Sequence, residues 1–431
     1  MTTTNLRLLL STSLCALLIG CGGGASDAPQ EQPTTPTSSK ITLSGIVTDN
    51  PIVNASIMVR VANNAFGDAP PTGSNGEFTV DITSENPAAL VSAEALDAVN
   101  GVKLSAVLDT FSNYTSQARN GVVAGVKITN VTTALQVLAE RLASDGSIDS
   151  YSEYTQLAEA VSGEELFELA AALKVVIENI DGSVLPAGIN DTVELAHAIA
   201  DGSSSFLSDL TIAAPEALSE ARNKLLTDGN ATLPFGPSDA PGVYSATNGR
   251  YIYAVFPNGV ALVDNRDDNA VPGTPSWSLN ELGQLVVRFF GFERETDALS
   301  VIGEAGDVVH MVRQSDFGNQ QITDASGAVK RTFGAAYDSA DVPGSWIDSA
   351  ISNSRWVFDA SGSGHRLNTL TQIQSDAFQW NVTTDGHINM AFDGTDESMQ
   401  FSRLSGADEV LKVSRFAGQY AYLNVATLVK E

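Results

Sequence analysis

Cysteine is nearly absent: the 431 residues hold two, Cys15 and Cys21, both close to the amino end. Everything after residue 21 therefore lacks a thiol, which excludes disulfide staples, a thiolate nucleophile and zinc–sulfur sites there. Histidine is scarce, with four. Bases are outnumbered by acids, 23 Lys and Arg against 51 Asp and Glu, for a formal charge of −28. So acidic a chain offers no basic face to nucleic acid or to anionic lipid, and its charge suits solubility. Beyond the first twenty residues no apolar run approaches the ~18 residues that cross a bilayer. Common catalytic motifs are missing as well: Gly-x-Ser-x-Gly, His-Glu-x-x-His, the phosphate-cradling Gly-x-x-x-x-Gly-Lys and the dinucleotide Gly-x-Gly-x-x-Gly. The expectation is a non-catalytic protein with no cofactor.

What is present is a folded composition, 43% hydrophobic and 17% charged, arranged in segments. Arg7 precedes a short apolar stretch that ends in Leu18-Ile19-Gly20-Cys21. A basic residue, a short apolar core and small residues at its end make an export signal. The ending resembles the lipobox of bacterial lipoproteins. The resemblance implies cleavage before Cys21 and acylation of that residue, with the membrane a partner through the lipidated end. Gly22 at the next position implies outer-membrane sorting, by analogy with enteric lipoproteins. Residues 1–20 are then the signal peptide. Residues 21–40, rich in Gly, Ser, Thr and Pro, are the lipidated cysteine and a flexible tether.

Alternation of period two begins at Ile41 and predicts strands. Gly45-Ile46-Val47-Thr48-Asp49, Pro51 with Ala55, and Asn75-Gly76-Glu77-Phe78 resemble the carboxypeptidase-regulatory, transthyretin-like family. That resemblance implies a β-sandwich over residues 41–130, a spacer or docking module without catalytic residues. At Asn130 the period changes to about 3.6, predicting a helical bundle over 131–229. A capping box is expected at Thr133 and Gln136, and further starts at Ser150, Ser162 and Asp191, with Pro215 opening the last helix. Glu164, Glu165 and Glu168 fall in a first helical turn, where the helix dipole accounts for them.

Residues 230–335 and 336–431 form an internal repeat. Pro241-Gly242-Val243-Tyr244 matches Pro343-Gly344-Ser345-Trp346, Val255-Phe256 matches Val357-Phe358, and Trp277 with Gly283 matches Trp380 with Gly386. The stretch opening at Asp307 matches the one opening at Glu409, which sets His310 against Lys412 and Arg313 against Arg415. Each copy reads as a meander of short antiparallel strands, best closed into a small barrel. Two barrels are expected, with one joint barrel as the alternative. The Gly-x-[Tyr/Trp], Phe, Trp order is similar to lipocalin-like barrels of bacterial lipoproteins.

The fold class is thus multidomain α+β: sandwich, helical bundle, tandem meanders. Tyr244, Phe256, Trp277, Trp346, Phe358 and Trp380 are the candidate ligand-lining aromatics, and the alternative is that they simply fill the interiors. Asp264, Asp267 and Asp268 form the densest oxygen cluster of the repeats. Calcium is the ion such a loop suits, but the EF-hand order fails, so an acidic hairpin tip is expected. The preferred function is a surface or periplasm-facing interaction protein with a protein or polymer partner. Small apolar-ligand or glycan binding by the barrels is the alternative, and a hydrolase a distant third.

Overall fold

The computed structural model describes residues 39–49, 51–62, 64–67, 69–265, 274–290, 294–351, 353–406, 408–416 and 420–431. Cys21, the signal peptide, the tether as far as residue 38, Asp267 and Asp268 lie outside the described residues, while Ser39 and Lys40, expected in the tether, already belong to the first strand. The chain from residue 39 on is mostly β.

Seven strands come first: β1 (Ser39–Val47), β2 (Ser56–Val61), β3 (Asn64–Phe66), β4 (Glu77–Ser84), β5 (Leu90–Asp97), β6 (Val102–Thr110) and β7 (Val122–Ile128). They make two sheets, ordered β4-β1-β7 and β3-β2-β5-β6. Leu43, Ile57, Val59, Ile82 and Leu104, at most 2% exposed, belong to one core shared by both sheets. The alternation that predicted these strands is what supplies that core. Gly45 must be glycine, because a Cβ there would fall 2.1 Å from the Val126 carbonyl oxygen on β7.

Among the described residues seven α-helices follow or interleave: α1 (Phe111–Gln117), α2 (Asn130–Leu142), α3 (Tyr151–Glu159), α4 (Gly163–Ile177), α5 (Thr192–Ala200), α6 (Phe206–Ala213) and α7 (Pro215–Thr227). Ser150, Ser162 and Asp191 each accept a backbone N–H three residues on, and Pro215 is the first residue of α7. The start of α2 differs from the sequence expectation. Its cap is Thr129, in a reciprocal box with Thr132. Thr133 instead accepts the Ser105 N–H of β6 at 2.8 Å, so its hydroxyl is used to dock the helix on the sheet. Helices α2 to α7 close around one core that also takes in Ile302, Ala305 and Val312 from the strands beyond. Lys174 on α4, 2% exposed, pairs with Asp49 and with Glu178 at 2.8 Å. Burial pushes the Asp49 carboxyl up to about 6 against the pull of Lys174.

Two eight-stranded meanders complete the chain, one per repeat. The first comprises β8 (Gly242–Ala246), β9 (Tyr251–Val255), β10 (Ala261–Asn265), β11 (Ser276–Leu279), β12 (Leu285–Arg288), β13 (Thr296–Ala305), β14 (Val308–Asp316) and β15 (Gln321–Arg331). The second comprises β16 (Gly344–Asp348), β17 (Ser354–Phe358), β18 (Ser363–Asn368), β19 (Gln374–Val382), β20 (Ile388–Phe392), β21 (Ser398–Arg403), β22 (Glu409–Phe416) and β23 (Tyr420–Lys430). The second is a closed barrel. The first is nearly closed, β10 meeting β11 through a single bridge from Val260 to Ser276. Each repeat closes on itself, so the joint barrel is set aside.

Strand pairing corrects the repeat's alignment. Gly242 faces Val255 and Gly344 faces Phe358, so Val255 is the counterpart of Phe358, and Tyr253 that of Trp356. A one-residue slip reverses the face. Phe256 accordingly leaves the barrel interior and packs between the barrels, stacked on Phe333 at 5.0 Å. Following β15 to β8 and β23 to β16 the same way makes Arg313 the counterpart of Lys412, and His310 that of Glu409.

The outer face of β8 to β10 packs on the second barrel through Val243, Ile252, Leu262, Leu411, Val413 and Leu423. Asp264 is part of this contact rather than a hairpin tip. It is 5% exposed and accepts the Leu423 N–H at 3.0 Å.

Candidate barrel-mouth site

Each barrel has one end plugged by the chain that enters it. Phe235 and Tyr337 cross there, their N–H groups donating to the carbonyls of Gly283 (2.9 Å) and Gly386 (3.0 Å). Five of the six candidate aromatics are built into the barrels as structural fillers toward this end. Tyr244 donates its hydroxyl to the Ala240 carbonyl at 2.8 Å, and Trp346 its indole N–H to the Val342 carbonyl at 2.7 Å, the same device four residues upstream. Trp277 donates to the Phe256 carbonyl at 2.7 Å, and Trp380 to the Ser363 carbonyl at 3.0 Å. Phe358 is 2% exposed and edges against Phe378 and Trp380.

The opposite end of the second barrel is open. A cavity of about 520 Å³ lies there, lined by Ile351, Trp356, Phe392, Met399 and Phe416, with Arg366, Asp376, Glu397 and Arg415 at its rim. None of the six candidate aromatics lines it. Trp356 is its floor, held edge-on by Phe378 and Phe401. Its indole N–H donates to Asp348 at 3.1 Å, and Lys412 donates to the same oxygen at 2.8 Å while standing 5.6 Å from the ring. A buried ion pair thus fixes the floor, and apolar side chains face the opening. Arg366 and Asp376 pair at 2.9 Å on the rim. The sequence marks Trp356 only by its place two residues before Phe358, on the same strand face.

The first barrel carries the same frame with a different content. Phe289 is the counterpart of Phe392, and Asp297 that of Met399. Arg294 lies over the Phe289 ring at 5.0 Å and reaches Asp297 at 2.7 and 2.6 Å. Ser315 also donates to Asp297, at 2.7 Å, and the Tyr253 hydroxyl donates to its other oxygen; burial and that carboxylate hold the Tyr253 pKa well above its ordinary value. Asp297 is wholly buried. Side-chain charge fills here the place that is open in the second barrel.

Among the described residues no three His, Cys, Asp or Glu side chains converge as a metal site, and no helix is long and apolar enough to cross a membrane. The acids Glu165 and Glu168 are engaged by Arg141 and Arg222. Compared with known proteins, the chain matches no family model, no curated protein and no solved structure.

Proposed function

We propose that the protein is a non-catalytic, lipid-anchored surface or periplasm-facing lipoprotein whose second barrel binds a small amphipathic ligand at its mouth. In this reading the chain is acylated at Cys21 and sorted to the outer membrane. The N-terminal sheets form a transthyretin-like sandwich and the helices a bundle. One observation carries the choice of ligand binding over partner docking. The place above Phe289 is filled by Arg294 and Asp297, whereas the place above Phe392 and Met399 is a cavity of about 520 Å³. That volume lies in the range of small-molecule pockets. Apolar walls over Trp356 suit the body of the ligand, and the rim charges of both signs suit a polar end.

Native mass spectrometry of the full chain from its own host tests this. A ligand of roughly a few hundred daltons, as such pockets take, is expected on the wild-type chain and absent from Met399→Trp, whose indole fills the mouth. A ligand retained equally by both, or by neither, overturns the reading.

A further inference from the structure

A second concavity, of about 430 Å³, lies on the outer wall of the second barrel over β19 to β22. On these strands Phe378, Trp380, Ile388, Met390, Met399 and Phe401 turn inward. Their neighbours must turn outward. Gln379 and Asn381, then Asn389, then Ser398 and Gln400, then Arg415 thus share one exterior surface. Pairing sets them in two rows across the strands. Asn381 faces Asn389, which faces Gln400; Ser398 faces Arg415. Neighbouring strands lie about 4.8 Å apart, so the amides stand in close succession.

Three features of this wall point to one kind of ligand. First, the side chains of Gln379, Asn381, Asn389 and Arg415 make no hydrogen bond or ion pair to other described residues, and Gln400 makes one, to Ser402. Second, the lining holds no carboxylate, in a chain where acids outnumber bases 51 to 23. Third, the barrel does not need these amides. At the places of Asn381, Asn389 and Gln400 the first barrel carries Ser278, Val286 and Ala298 in the same pairing. A carboxamide offers a donor and an acceptor together, which is the pattern of a hydroxyl group. A row of them on a surface without carboxylates, where Arg415 is the one charged side chain of the lining, matches a chain of hydroxyls.

We infer that this outer wall is a binding site for a neutral oligosaccharide, adjoining the barrel mouth, with which it shares Arg415, and argued from other observations than the reading given for the mouth. Successive hydroxyls bond to the carboxamides of Asn381, Asn389 and Gln400, with Gln379 and Arg415 flanking them. The overall charge of −28 disfavours polyanionic glycans.

The test is the full chain on an array of neutral glucans, xylans, galactans and chito-oligosaccharides, with uronate-rich and sulfated glycans beside them. The expected result is retention by a neutral class, competed by the free oligosaccharide. The triple variant Asn381→Ser, Asn389→Val, Gln400→Ala, which installs the first barrel's own residues, should weaken that binding at least tenfold. Should the triple variant fail to fold, Asn389→Val alone is read, with a several-fold loss expected. Binding to no glycan, binding to acidic glycans only, or variants that bind as tightly as the wild type each overturn the inference.

Discussion

Removing Arg294 tests whether the first barrel is held shut by a charge pair that the second barrel has dispensed with. Asp297 is wholly buried and receives four hydrogen bonds, two of them from Arg294 at 2.7 and 2.6 Å. In Arg294→Ala the carboxylate stays behind with only the hydroxyls of Ser315 and Tyr253. Breaking one partner out of a buried pair costs about 3–5 kcal/mol. At about 2 °C per kcal/mol for a large cooperative unit, the melting temperature should fall by roughly 6–10 °C. The double variant Arg294→Ala, Asp297→Met places the second barrel's residue at the same position and removes the stranded charge. What remains is the lost packing of the arginine, worth about 1–2 kcal/mol. The double variant should therefore be more stable than the single one, by about 2 kcal/mol or more. Thermal unfolding of the full chain, followed by circular dichroism, reads both. A double variant that melts at or below the single variant refutes the argument, because the cost would then lie in packing and not in charge.

Three further outcomes are expected. His310 is buried, with Nε2 3.1 Å from the Ala158 carbonyl, and burial lowers its pKa from 6.5 to about 4. A depressed histidine contributes stability that is present above pH 6.5 and is lost as pH falls through about 4, some ~3 kcal/mol. Urea midpoints should drop across that window in the wild type and less steeply in His310→Gln; parallel curves contradict it. Gly283 and Gly386 have φ of +72° and +77°, and an added Cβ would lie 2.4 Å from Pro234 and 2.1 Å from Ala336. Alanine at either should cost about 2–4 kcal/mol, read as a fall in melting temperature, and an unchanged value at either counts against the plug geometry. Asp264→Ala strands the Leu423 N–H between the barrels, for a loss of about 1–3 kcal/mol. Faster hydrogen exchange at the Leu423 amide is the measurement, and unchanged protection would remove Asp264 from the contact.

Local chemistry was legible in the sequence and register was not. Ser150, Ser162 and Asp191 announced helix starts, because a cap acts on N–H groups within the same turn. Trp277 with Gly283 and Trp380 with Gly386 aligned the repeats correctly, because both glycines hold a backbone that other residues resist. Val255-Phe256 and Arg313 misled, since apolar and basic residues recur on strands without fixing a position. The pairings of β8 with β9 and of β14 with β15 moved these anchors by one and by three residues. Of the six candidate aromatics Phe256 alone changed face with them. Phe256 left the interior, Trp356 became the floor of the cavity, and Asp297 and Met399 emerged as counterparts although nothing local relates them. Asp264 looked like a turn residue because its partner, the Leu423 N–H, lies 159 positions away.

The two copies have diverged in a way that follows from what covers them. The first barrel is hemmed in on two sides, β8 to β10 packing on its sibling and β13 to β15 on α2, α3 and α4. Gly163 at the start of α4 comes so close that a Cβ would lie 2.3 Å from Ser326 on β15. A barrel fixed from two sides transmits strain from any loosening of its interior, and a bonded Arg294–Asp297 pair in place of a cavity keeps that interior rigid. The second barrel is held mainly through β22 and β23, by Leu411, Val413, Ala421 and Leu423, with Leu404 just past the end of β21. Its β19 and β20 carry exposed polar side chains outside and end at the open mouth inside. Exchange of Asp297 for Met399 inside, and of Ser278, Val286 and Ala298 for Asn381, Asn389 and Gln400 outside, falls on this same free wall. On the proposed reading, support and recognition are divided between two copies of one fold, recognition falling to the copy with less packed against it.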